Sequence, residues 1–113
     1  AGDIEGAPVD KVVCALKKGP VVSFADRGTL YDRELYALAF NVAKERGIAI
    51  QTKEGVFGGN EARVVSRAGA GAKTMAISVP CRYLHSASCV AAVQDVLDTK
   101  QLLSAVIDPL ARL

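Results

Sequence analysis

Met75-Ala76-Ile77-Ser78-Val79-Pro80-Cys81-Arg82-Tyr83-Leu84-His85-Ser86 is the stretch whose reading decides the fold. Its first five residues are strand-like, and Pro80 has no backbone N–H for a ladder, so a central strand is expected to end there. A loop follows that places a cation, a phenol and an imidazole at Arg82, Tyr83 and His85, the last being the single histidine of the chain. In helix-covered sheets, ligands bind in the crevice beyond the strand ends. The stretch therefore reads as half of a site.

Working outward, the clearest element lies upstream. Over residues 31–46 the apolar positions are Tyr31, Leu35, Leu38, Ala39, Val42 and Ala43, the stripe of an amphipathic helix. Asp32 is placed to cap its start, Lys44 and Arg46 suit its last turn, and Gly47 can take the left-handed stop. Residues 9–16 and 20–25 read as two strands joined in a hairpin by Lys17-Lys18-Gly19-Pro20. Residues 48–53 alternate as a strand. Asn60 caps a short helix over 62–68, and Gly69 closes it. After the strand over 73–79 and the His85 loop, residues 90–93 read as a further short strand. A last helix starts at Gln94 or Asp95 and runs to Asp108-Pro109, with Val96, Leu102, Leu103, Val106 and Ile107 on its buried side. The order β-β-α-β-α-β-(β)-α predicts an α/β fold, a mixed sheet flanked by helices, with residues 1–113 as a single segment.

Composition narrows the function classes. Half of the 113 residues are hydrophobic, mostly aliphatic, which fits a packed core and not a disordered chain. A net charge of +2, with the cations scattered, gives no electrostatic case for nucleic acid. No apolar run reaches the roughly 20 residues that span a bilayer, so no membrane role is expected. Three cysteines, an odd number, argue against a disulfide framework and for a cytoplasmic setting. The abrupt Ala1-Gly2-Asp3 opening has neither a start methionine nor a signal-peptide pattern, and leads us to expect a fragment or a processed chain.

Each chemical candidate has a plainer reading beside it. A lone histidine is more often structural or merely exposed than a ligand, and one imidazole cannot hold zinc. Cys81, His85 and Cys89 are spaced four apart, which converges only on a helix, and Pro80 argues against one there. Gly58-Gly59 at a helix start offers N–H groups to a carboxylate, but two glycines also simply make a tight turn. Arg82 and Tyr83 suit a carboxylate or an oxyanion, or a plain surface. Glu61 is a candidate base, though the helix dipole alone favours it there. There is no Gly-x-Ser-x-Gly, no His-Glu-x-x-His and no Walker loop.

A resemblance adds to these readings. Val79-Pro80-Cys81-Arg82-Tyr83-Leu84-His85-Ser86 resembles the Ile-Pro-x-Arg-Tyr-Ile-His-Ser motif of the tetrahedral (TET) aminopeptidases, a family that includes glutamyl, leucyl and deblocking enzymes and proteins labelled endoglucanase. Leu16-Lys17-Lys18-Gly19-Pro20-Val21-Val22, Gly58-Gly59-Asn60-Glu61-Ala62 and the Asp95-Val96 to Leu102-Leu103 stretch are similar to further family segments, so the likeness covers essentially the whole chain. The chain departs from the family at Asn60-Glu61, where a Thr-Asp pair is usual, at Ala87 and at Cys89.

The resemblance implies the C-terminal part of a zinc-exopeptidase-like catalytic domain. It further implies a parent hydrolase, a metalloaminopeptidase using two divalent ions (zinc or cobalt) to activate water against peptide substrates, assembled as a homo-oligomer. Most metal ligands would lie outside this chain. His85 would be its one metal ligand, and Arg82, Tyr83, Gly58 and Gly59 would bind substrate. No catalytic residue would lie in residues 1–113, which would be inert alone and bind metal weakly. The competing expectation is a non-catalytic α/β domain for peptide binding or assembly.

Overall fold

The computed structural model describes residues 1–113. Its centre is β1 (Val21–Val22), whose two side chains are fully buried. β1 pairs in parallel with β2 (Gln51–Thr52) and antiparallel with β3 (Ile77–Ser78), giving the order β2-β1-β3. The sheet is thus mixed and three-stranded, with helices packed on it.

The connection from β1 to β2 runs through α1 (Arg33–Arg46), a βαβ unit. The sequence specifies this helix at both ends. The Asp32 carboxylate accepts the N–H groups of Glu34 and Leu35 at 2.9 and 3.1 Å. Gly47 stops the helix in the left-handed region at φ 65°, where a Cβ would be strained. Leu35, Ala39, Val42 and Ala43 are buried, as the stripe predicts. Of these, Val42 and Ala43 join Ile48 and meet Leu102 and Val106 of α3 (Val93–Leu110) in the core, and Ile50, Met75 and Ile77 pack at its border.

Several expectations are corrected. Residues 9–16 form no strand: Val9–Lys11 is one 3₁₀ turn and Val9 is exposed. The polar groups that follow are taken individually, not by a ladder. The Gln51 side chain bonds both the N–H and the C=O of Ala15, Asp3 accepts from Leu16 N, and Glu54 N donates to Val13 O. There is therefore no hairpin, and β1 finds its partners far along the chain. The helix expected over 62–68 shortens to α2 (Ala62–Val65), and the strand expected over 90–93 reduces to one bridge, Arg82 to Val90.

α3 also buries a different face from the one expected. Leu102 and Val106 are inside, but Val96, Leu103 and Ile107 are exposed, and Asp95 and Thr99 take the remaining inward positions. Spacing at 95, 99, 102 and 106 is helical, so a polar pair was hidden in the inward stripe. Asp95 is buried because it works as a clamp. Its carboxylate accepts Lys17 N at 2.7 Å and Gly19 N at 2.9 Å, fixing the turn that delivers the chain into β1. Gly19 lies at φ 85°, and a Cβ there would come within 2.2 Å of Ala49 O, so only glycine fits.

Candidate functional site

The His85 loop is built as an exit from the sheet. β3 ends at Ser78 and Pro80 is fully buried. Residues 1–3 lie parallel to this exit. The Ala1 ammonium donates to Val79 O at 3.0 Å, Cys81 N to Ala1 O at 2.9 Å, and Asp3 N to Cys81 O at 2.8 Å. Arg82 and Val90 then exchange both backbone hydrogen bonds, 2.8 and 3.2 Å, and close the loop at its base.

Within the loop two non-glycine residues occupy the left-handed region, Tyr83 at φ 64° and His85 at φ 62°. Such conformations cost on the order of 1 kcal/mol each and persist where the surroundings impose them. Here the Ser86 hydroxyl donates to Tyr83 O and Ser88 O and its N–H to Tyr83 O, which ties the turn. The imidazole and the phenol both stand at the exposed rim.

Arg82 is turned inward. Its Nε lies 3.7 Å from Asp3 Oδ2 and its Nη1 3.5 Å from Glu5 Oε2, distances of charge attraction without a hydrogen bond. The Nε is buried and has no hydrogen-bond partner. Gly2 to Glu5 and Arg82 to His85 together line a cleft of about 510 Å³. So the structure brings Arg82, Tyr83 and His85 together, beside two carboxylates that sequence spacing did not associate with them.

Gly58 and Gly59 do not line that cleft. Their turn is docked on a different group of residues, built from Asp26, Tyr31 and Asn60. Tyr31 Oη donates to Asp26 Oδ2, Asn60 Nδ2 donates to Tyr31 Oη at 3.0 Å, and Gly58 O accepts Arg27 N at 2.9 Å. Burial pushes the Asp26 carboxyl up, but the hydrogen bonds from Tyr31 and from the Gly28 and Thr29 amides outweigh it and hold it below the ordinary carboxylate range. Burial and the Asp26 hydrogen bond push the Tyr31 phenol up to about 12. Asn60 Oδ1 also accepts Ala62 N at 2.8 Å, a bond two residues along the chain, while the N-cap position of α2 falls on Glu61 and not on Asn60 as expected.

The chain's own donors do not make a metal site. No three His, Cys, Asp or Glu side chains converge anywhere, and Cys81, His85 and Cys89 form no triplet. All three cysteines are free, and burial pushes the Cys14 thiol up to about 11, far from a reactive thiolate. Sequence reasoning missed Asp95 and the Asp26–Tyr31 pair. Asp95 has no local signal, because its partners lie 76 and 78 residues away.

Comparison with known proteins bears on this geometry. The family model for M42 glutamyl aminopeptidases matches residues 2–102. Among solved structures, the TET aminopeptidase from the marine sediment archaeon Thaumarchaeota archaeon SCGC AB-539-E09 is 27% identical with a TM-score of 0.87, over 95% of this chain and 30% of that one. The Pyrococcus horikoshii TET1 peptidase, described as assembling into a tetrahedron or a large octahedral shell, is 32% identical with a TM-score of 0.72, over 82% and 27%. An endoglucanase from Thermotoga maritima is 25% identical with a TM-score of 0.64, over 84% and 26%. Residues 1–113 thus span about 30% of the length of the structures they match. With a family match over nearly the whole chain, and the Pro80–His85 loop at a strand end, this chain belongs to the M42 glutamyl aminopeptidase family.

Proposed function

We propose that residues 1–113 are part of the catalytic domain of a metal-dependent aminopeptidase that releases N-terminal residues from peptides. The observation that carries this reading is the family match over residues 2–102, with a histidine loop at the open end of a sheet. Two divalent ions, zinc or cobalt, would supply the activated water. His85 would contribute one ligand, and Arg82, Tyr83 and the Gly58-Gly59 turn would line the peptide pocket. Because no complete donor set exists within residues 1–113, the isolated chain would bind metal weakly and catalyse nothing.

No helix is long and apolar enough to cross a membrane; a cytoplasmic setting is proposed from the odd cysteine count. A homo-oligomer is proposed by analogy with the shell-forming relative. The exposed apolar residues of α3 favour one alternative, an assembly domain without catalysis.

The test expresses the longest reading frame that contains residues 1–113 and assays aminoacyl p-nitroanilides with and without chelator. Chelator-sensitive release that His85→Ala reduces at least a hundredfold is the expected result. A folded product that neither binds divalent metal nor cleaves any such amide overturns the reading.

A further inference from the structure

The turn that carries Gly58 and Gly59 owes little of its shape to packing. Residues 53–61 lie in no helix or strand, Val56 and Phe57 are 46 and 47% exposed, and a Cβ on Gly58 or Gly59 would meet nothing within 4 Å. Three hydrogen bonds tie residues 57–60 to residues earlier in the chain. Lys53 Nζ donates to Phe57 O, Arg27 N to Gly58 O at 2.9 Å, and Asn60 Nδ2 to Tyr31 Oη at 3.0 Å. Of these, only the Asn60 bond ends on a buried side chain.

The direction of that bond is fixed at every step. Buried Asp26 accepts Tyr31 Oη and Gly28 N on its carboxylate, and its own N–H donates to Thr29 O. These bonds favour the ionised carboxylate, which takes the phenol hydrogen. Tyr31 Oη has then committed its one hydrogen and offers only lone pairs. At the other end, Asn60 Oδ1 faces the Ala62 N–H, so Nδ2 necessarily faces Tyr31. Each group has one role open to it, and the relay runs from the exposed turn to a buried charge. A fully satisfied relay of this kind specifies one geometry.

The geometry points to Asn60 as the positioning residue of the Gly58–Gly59 turn, acting through Tyr31 and Asp26 to hold the turn in the shape that takes a peptide. The inference rests on the peptide-binding role proposed above for that turn. Once the tether is cut, the turn samples several shapes, and an incoming peptide must select one of them. Apparent affinity falls with the fraction of the time that shape is present, while the complex, once formed, is the same. Asn60 therefore acts on KM and leaves kcat and metal content alone.

The test uses the product of the longest reading frame that contains residues 1–113. Asn60→Asp keeps the size of the side chain and the oxygen that faces Ala62 N, but at neutral pH it has no N–H for Tyr31. It should raise KM for aminoacyl p-nitroanilides about tenfold, with kcat within about twofold and bound metal unchanged. Combined with Tyr31→Phe it should raise KM no further than the larger single effect, because both substitutions cut one bond. Hydrogen exchange gives a readout independent of activity. The Arg27 amide, which donates to Gly58 O, should exchange at least tenfold faster in Asn60→Asp, while the α1 amides change little. Equal Arg27 exchange in the two proteins, additive effects of the two substitutions on KM, or a loss confined to kcat each overturns the inference. A product without aminopeptidase activity removes the proposed function and leaves Arg27 exchange to decide the inference alone, faster exchange upholding it and equal exchange overturning it.

Discussion

The two long helices bury their apolar residues to different extents, and the difference shows what kind of chain this is. α1 closes its account within residues 1–113: one stripe, one carboxylate cap, one glycine stop, and every strongly apolar inward position buried or half-buried. α3 has two apolar flanks. One reaches the core through Leu102 and Val106 beside a buried carboxylate, and the other, through Val96, Leu103 and Ile107, faces solvent. A surface helix of a complete domain needs one inward stripe. α3 carries a second apolar flank that nothing within residues 1–113 covers.

Substitutions on the two helices should differ in cost accordingly. Leu102→Ala should have the largest effect, a loss of about 3 kcal/mol by urea unfolding, because the side chain is fully buried in the core cluster. Asp95→Ala should follow with about 2 kcal/mol, since it strands the buried Gly19 amide and frees the turn into β1.

The Tyr31 phenol gives a pH signature at the entry to α1. Its folded value, about 12, lies above the ordinary 10. Between those values the unfolded chain has lost the proton and the folded one retains it, so stability present below pH 10 should fall as pH rises towards 12. Tyr31→Phe should abolish that slope in alkaline denaturant titrations. Asp32→Ala should cost about 1 kcal/mol through loss of the cap. Leu103→Ala, one residue from Leu102, should change the stability of residues 1–113 by less than about 0.5 kcal/mol. A large loss at Leu103 would mean that the outward flank of α3 is already covered within this chain.

How much of this the sequence revealed depends on how local each determinant is. α1 was legible because its stripe, Asp32 and Gly47 are all signals within one turn of the positions they fix. The exit at Pro80 and the juxtaposition of Arg82, Tyr83 and His85 were legible for the same reason. That residues 9–25 form no hairpin was not legible, because Gln51, Asp3 and Asp95 satisfy that segment from far along the chain. The buried face of α3 was misread because hydrophobicity alone cannot separate a core stripe from an exposed apolar one, and because Asp95 and Thr99 are the buried residues between them. The approach of Asp3 and Glu5 to Arg82 was likewise out of reach, since parallel pairing of residues 1–3 with the β3 exit has no sequence signature.

The most direct measurement is aminopeptidase activity of purified residues 1–113 supplied with zinc or cobalt, read as release of p-nitroaniline from aminoacyl substrates. The chain lacks any converging set of three metal donors, so the account predicts no metal-dependent turnover above the rate in buffer. Metal-dependent cleavage by residues 1–113 alone, abolished by His85→Ala, would contradict it and show that this piece of the family's domain is sufficient for catalysis.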